Sequence, residues 1–151
     1  MNLESTSQQE RRNSPAALQD GLVAERTEML VLFCRVAGLE PYTIEEDKEA
    51  AAAALQQFCQ VMVDYIAAGH FSLYERIVNG TERRKTISDM AEKLYPRIAE
   101  TTEAALKFND KYDCDNHCVV DETLHDDLSR LGEELAVRVD LEDQLLKAMA
   151  R

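Results

Sequence analysis

The stretch from Leu55 to Ile77, LQQFCQVMVDYIAAGHFSLYERI, decides the fold of this chain. Leu55, Phe58, Cys59, Met62 and Ile66 recur at intervals of three and four, the spacing that aligns side chains along one stripe of an α-helix. Val61, Val63 and Tyr65 widen that stripe, which predicts a helix covered on more than one side and central to its bundle. Gly69 stands where a glycine ends a helix in the left-handed conformation at little steric penalty. A turn is expected there, followed by a short helix from His70 to Ile77.

Towards the N-terminus, Thr43 and Glu46 have the form of a capping box, so this helix is expected to run from about Ile44 to Ala68. Its alanine-rich start adds propensity rather than packing. Before it, Ser14 as N-cap and Pro15 at the first helical position open another helix. Leu18, Leu22, Met29, Phe33 and Val36 follow helical spacing and Gly38 closes the element. Residues 1–13 are polar without apolar period and are expected to form a disordered tail, leaving 14–151 as one helical domain.

Towards the C-terminus, Gly80 and Arg83-Arg84-Lys85 mark a connection. A helix from about Thr86 to Tyr112 turns Ile87, Met90, Leu94, Ile98, Ala105 and Phe108 inward, and Pro96 inside it is expected to kink or break it. The last helix, from Val119 to about Met149, carries Val120, Leu124, Leu128, Leu131, Leu135 and Val139; at 1.5 Å per residue it spans roughly 46 Å. The fold class that follows is all-α, an elongated antiparallel bundle of four main helices plus a short extra one. Glu142 breaks the pattern, lying three after Val139 and four before Leu146 on the core stripe. A buried carboxylate needs a charge or several donors, with His70, Arg26 and Arg138 as candidates, unless the helix end already leaves the bundle there.

At 151 residues the chain makes one domain. Five Gly and three Pro, with no alternating apolar pattern, favour helix over sheet. No run approaches the roughly 20 apolar residues of a membrane span, and the N-terminus lacks a signal-peptide plan, so a cytoplasmic protein is expected. Four cysteines in such a chain are not a disulfide framework. Cys34 and Cys59 fall on apolar faces as small buried hydrophobes. Cys114, His117 and Cys118 cluster, but no second cysteine pair completes a zinc site. The net charge is −12, and between Asp110 and Asp143 there are 12 acidic and 3 basic residues. Ordinary nucleic-acid binding is opposed by that balance, which suits a basic partner or a solvated acidic face.

An enzyme or metal protein is the competing class. His70, Glu75, His117, His125, Glu142 and Asp143 could be remains of a His/carboxylate centre of the hemerythrin-like or ferritin-like kind. Only Glu122 to His125 has the Glu-x-x-His form, and there is no Gly-rich phosphate loop or nucleophile elbow. No cofactor and no catalytic residue is assigned.

Phe58-Cys59-Gln60, Val63-Asp64-Tyr65, Ala68-Gly69-His70-Phe71 and Tyr74-Glu75-Arg76 resemble the central signature of the Rsd/AlgQ family, bacterial regulators that bind the housekeeping sigma factor of RNA polymerase. Asp20, Arg26 and Gly38, then Pro96 and Asp110, then Leu141-Glu142-Asp143 extend the similarity from about Leu18 to Leu146. The family's first helix carries a tryptophan after the aspartate, where this chain has Gly21 and Leu22. If that tryptophan is a contact anchor, the partner surface here is altered. The resemblance implies a monomeric anti-sigma factor that engages region 4 of the primary sigma factor. It points to Asp20, Leu22, Arg26, Asp64, His70, Phe71, Tyr74, Glu75 and Arg76 as contact candidates.

Overall fold

The first helix, α1 (Pro15–Ala37), begins at the proline whose missing N–H is no loss there and stops at Gly38. Gly38 has φ 69°, the left-handed conformation its place in the sequence implies, and the Leu39 N–H donates back to the Cys34 carbonyl at 2.9 Å. The computed structural model describes residues 15–39, 42–43, 45–78, 84–112 and 122–150, with the side chains of 15–19, 72, 74, 76 and 78 outside that description. The expected tail 1–13, the Ser14 cap, Ile44, Gly80, Arg83, the Cys114–Cys118 cluster and Val119–Val120 therefore lie outside the described residues.

The second helix, α2 (Lys48–Gly69), starts four residues later than the capping-box pattern implies. Its N-cap is Asp47, whose carboxylate accepts the Glu49 N–H at 3.0 Å. Thr43 and Glu46 are exposed ahead of it. An aspartate at this position satisfies an orphan N–H and sits at the positive end of the helix dipole, so it overrides the threonine upstream.

Gly69 corrects a second expectation. It has φ −61° and ψ −43°, right-handed helical values, and the chain does not turn. The helix widens instead into a π-helical turn, His70–Tyr74, closed by the Glu75 N–H donating to the His70 carbonyl, and continues as α3 (Glu75–Val78). Gly69 is buried, and a Cβ there would lie 2.9 Å from Oε2 of Glu142. Room for that carboxylate, rather than backbone freedom, is what the glycine supplies.

The long helices α4 (Lys85–Lys111) and α5 (Glu122–Ala150) complete the fold. Pro96 lies inside α4 without breaking it; the position is exposed, so the carbonyl deprived of its N–H partner, on exposed Glu92, faces water. α5 is about 44 Å long.

Four long helices form a ring in the order α1, α2, α4, α5, each packed on its neighbours. Every neighbouring pair is antiparallel: Phe33 meets Phe58 while Arg26 meets Tyr65, and Tyr112 meets Asp127 while Arg84 reaches the Met149 carbonyl at 2.8 Å. No helix is central, which corrects the expectation for α2; its apolar stripe faces a core shared by all four. Leu55, Phe58, Met62 and Tyr65 of α2 join Met29, Ile98, Ala105, Leu135 and Leu145 with almost no exposure. Edge-to-face contacts from Phe58 to Phe33 and Phe108, with ring centroids 5.8 and 6.1 Å away, knit α1, α2 and α4 together. Among the described residues no helix is long and apolar enough to cross a membrane.

Helix propensity alone makes Gly69→Ala stabilising by about 1 kcal/mol. The 2.9 Å approach to Glu142 reverses that sign. A net loss of about 1–3 kcal/mol is expected in urea unfolding, the range for forcing atoms into a filled core. A more stable Gly69→Ala protein would contradict the close-approach role.

Candidate functional site

Glu142 has no exposed surface, although it is an acid. It occupies the core-facing stripe of α5 between Arg138 and Leu146, where helical spacing dictates. The Tyr65 hydroxyl, from α2, donates to its Oε1 in a short hydrogen bond. Arg26 on α1 donates from Nε to the Tyr65 hydroxyl at 3.1 Å and holds Nη2 3.6 Å from Glu142 Oε1. Arg138, one turn before Glu142, brings Nε within 3.3 Å of Oε2. Its Nη1 donates to the hydroxyls of Thr101 and Thr102 on α4 at 3.2 and 2.6 Å. Arg26 also donates to Asp143 at 2.8 Å, so two guanidinium groups meet two carboxylates. One polar cluster thus ties together all four long helices.

The cluster is close but incompletely hydrogen-bonded. Glu142 Oε2, Arg138 Nε and Arg26 Nη2 are buried with no hydrogen-bond partner, so their ion pairs act through charge rather than through aligned N–H bonds. Burial pushes the Glu142 carboxyl above its usual range, the Arg138 charge, the Tyr65 hydroxyl and Arg26 pulling the other way. Burial, then the neighbouring carboxylate, raises Tyr65, which therefore stays protonated and able to donate across the physiological range. Removing one member of such a pair strands the other charge, a loss of about 3–5 kcal/mol.

The structure divides the residues singled out in the sequence. Arg26 and Arg138 do partner Glu142, whereas His70 is exposed, and the helix end does not leave the bundle. Leu22 is 4% exposed and Arg26 8%, so both side chains lie in the interior of the unbound chain. Asp20, Asp64, His70, Phe71 and Glu75 are exposed, while the side chains of Tyr74 and Arg76 lie outside the described residues. Phe71, at 65% exposure, is the most exposed large apolar side chain described, and its ring meets the His70 imidazole edge-on with centroids 5.2 Å apart. Asp64 accepts from Gln60 at 3.1 Å and, with Glu28, adds to the effect of burial in raising the Glu25 carboxyl, which marks an acidic seam between α1 and α2. Asp127, by contrast, is a spent charge, since Lys111 binds it at 2.6 Å and holds its carboxyl low.

Pattern reading misses Tyr65 and Thr101. Tyr65 counts only as a residue that widens the apolar stripe of α2, Thr101 goes unremarked between Ile98 and Ala105, and spacing places neither hydroxyl. Among the described residues no three His, Cys, Asp or Glu side chains are arranged to hold a metal ion, and the His/carboxylate reading finds no support.

The fold is thus an acidic, all-α four-helix bundle with a charge network inside and an exposed aromatic residue at Phe71. In particular, the chain belongs to the Rsd/AlgQ family: the family model described as regulator of RNA polymerase sigma(70) subunit, Rsd/AlgQ, matches residues 1–150. It is similar to proteins named regulator of sigma D. One, from Yersinia pseudotuberculosis, is 33% identical over 135 residues, 86% of this chain and 78% of the relative. Another, from Shigella dysenteriae, is 32% identical over 142 residues, 91% of this chain and 86% of the relative.

Tyr65→Phe leaves Glu142 Oε1 and Arg26 Nε short of a partner, and about 1–3 kcal/mol of stability is expected to go in denaturant unfolding. A second expectation concerns pH. Because the Glu142 carboxyl sits above its value of 4.5 in the absence of the fold, the native state holds this proton more tightly than the unfolded chain. Its contribution is complete below pH 4.5 and is lost as pH rises through the raised folded value. The stability of wild type relative to Glu142→Gln should therefore decline from pH 4.5 upward; a difference that grows with pH would show the two arginines outweighing burial.

Proposed function

We propose that this protein is a cytoplasmic anti-sigma factor that binds the primary sigma factor of RNA polymerase one to one, through sigma region 4, and withholds it from core polymerase and promoters. The observation that carries the reading is the match of residues 1–150 to a family of sigma(70) regulators. The exposed positions of Asp20, Asp64, His70, Phe71 and Glu75 are compatible with a partner surface. Region 4 is a basic helix-turn-helix built to hold −35 promoter DNA. A chain of net charge −12 has a physical reason to compete for it and none to bind DNA itself.

Opposite charge steers encounter, and an apolar anchor sets the lifetime of the complex. Surface plasmon resonance of the full chain over immobilised primary sigma factor tests both. Association is expected to slow as salt rises beyond the ionic strength where the Debye length is about 8 Å, with dissociation changing little. Sigma lacking region 4 should not capture the protein. Absence of binding at every salt concentration, with a folded protein in the flow, would end the anti-sigma reading; binding indifferent to salt would keep the partner and remove the electrostatic mechanism.

A further inference from the structure

α1 turns a second face outward, away from the core stripe of Leu22, Arg26 and Met29. Asp20, Ala24, Thr27, Val31 and Arg35 recur at intervals of four and three, the repeat that keeps side chains on one helical face, and all five are exposed. Val23 and Leu30 flank them. With Val31 they put three large aliphatic side chains, 39%, 39% and 45% exposed, into water along a short length of one helix. Thr27 donates its hydroxyl to the Val23 carbonyl at 2.8 Å, so covering it strands no donor. Gly21 marks the same region. A Cβ at Gly69 or Gly132 would meet another helix at 2.9 Å, whereas one at Gly21 would meet nothing within 4 Å. Glycine inside a helix is less favourable than alanine, and no described contact within the chain accounts for it at this position.

We infer that this outer face of α1 is where two copies of the chain associate, antiparallel about a two-fold axis near Thr27 and Glu28. A two-fold contact needs a face that complements itself. Asp20 and Arg35 are exposed, opposite in sign and about 22 Å apart along the helix, and neither shows a partner among the described residues. In the antiparallel register that sets Asp20 of each copy against Arg35 of the other, Ala24 falls opposite Val31, a small residue against a large one, and Val23 and Leu30 close one edge. Gly21, beside Asp20, leaves open the space through which the long Arg35 side chain of the other copy passes. Charge selects the occupant. From Asp20 to Arg35 there are 3 acidic and 2 basic residues, so this face is nearly neutral, while from Asp110 to Asp143 there are 12 acidic and 3 basic. A basic protein finds little to attract it on α1, and two copies of net charge −12 repel each other least there, their remaining charge being screened over about 8 Å at physiological ionic strength. One helix face is a small interface, of the kind that holds a dimer weakly and reversibly. The inference stands apart from the anti-sigma reading, although Asp20 is also a candidate for that partner.

Sedimentation equilibrium of the full chain alone, from about 5 to about 500 µM at physiological ionic strength, tests the assignment. Wild type should pass from monomer to dimer as concentration rises. Val31→Asp, at an exposed position, should melt close to wild type and stay monomeric throughout. Asp20→Arg or Arg35→Asp alone sets like charges together at both ends and is expected to weaken the dimer by about fivefold or more, Asp20→Arg doing so even though it lowers the net negative charge. The double variant re-forms both pairs with the signs exchanged and should return to within about twofold of wild type. Leu106→Ser, exposed on α4, should associate as wild type does. A wild type that is monomeric over the whole range would overturn the inference. A dimer that survives Val31→Asp, or that Leu106→Ser dissolves, would remove it from α1, and single charge reversals left unrepaired by the double variant would overturn the antiparallel register.

Discussion

A carboxylate with no exposed surface in the middle of a helical bundle is the constraint on which the rest of this structure depends. Desolvating Glu142 is unfavourable by several kcal/mol unless charge and hydrogen bonds are brought to it, and each of the other three long helices contributes to the cluster that answers the demand. α1 sends Arg26, α2 sends Tyr65, α5 folds Arg138 back by one turn, and α4 holds Arg138 through the hydroxyls of Thr101 and Thr102. Gly69 yields the space a Cβ would take from the acid. An apolar core of Leu, Ile and Phe tolerates sliding and rotation of its helices; a polar cluster with members on four helices has one register in which it is paired.

The same constraint shapes the surface above it. Directly after Gly69 the helix widens into a π turn, and within that turn Leu73 stays 2% exposed while Phe71 is thrust out to 65%. The exposed Phe71 side chain is thus two residues along the chain from the glycine packed on Glu142. The large apolar side chains left in water fall in two places, Phe71, Tyr95 and Leu106 in one and Val23, Leu30, Val31 and Leu39 along and just after α1 in the other.

How much of this is legible in the sequence depends on whether periodicity or geometry decides it. The four long helices, the all-α class and most of the buried stripes follow from three- and four-residue spacing, and Gly38 ends α1 as its position implies. Glu142 is legible as a misfit, since it occupies a place where Leu145, Leu146 and Met149 continue the stripe, and two of its three proposed partners are right. Gly69 is misread because a glycine near a helix end gives the same signal for a left-handed cap and for a close approach. Thr43 yields to Asp47, whose carboxylate accepts the Glu49 N–H at the positive end of the helix dipole, a partner that the Thr43–Glu46 spacing does not reveal. Leu22, which stands near where the family's first helix carries a tryptophan, is buried in this chain, and spacing alone does not tell a core leucine from a contact residue there. Phe71 and Tyr95 become a pair only when α2 and α4 are set side by side, a relation between segments more than twenty residues apart that no local spacing contains.

A double-mutant cycle on Arg138→Met and Glu142→Gln, measured by urea unfolding at neutral pH, tests most directly whether the buried cluster acts as one unit. The account predicts that the two substitutions together destabilise by at least about 1 kcal/mol less than the sum of the single effects, because each single change strands a buried charge that the second removes. Effects that add to within about 0.5 kcal/mol would contradict it, leaving Glu142 and Arg138 as independent passengers in a core held by apolar packing alone.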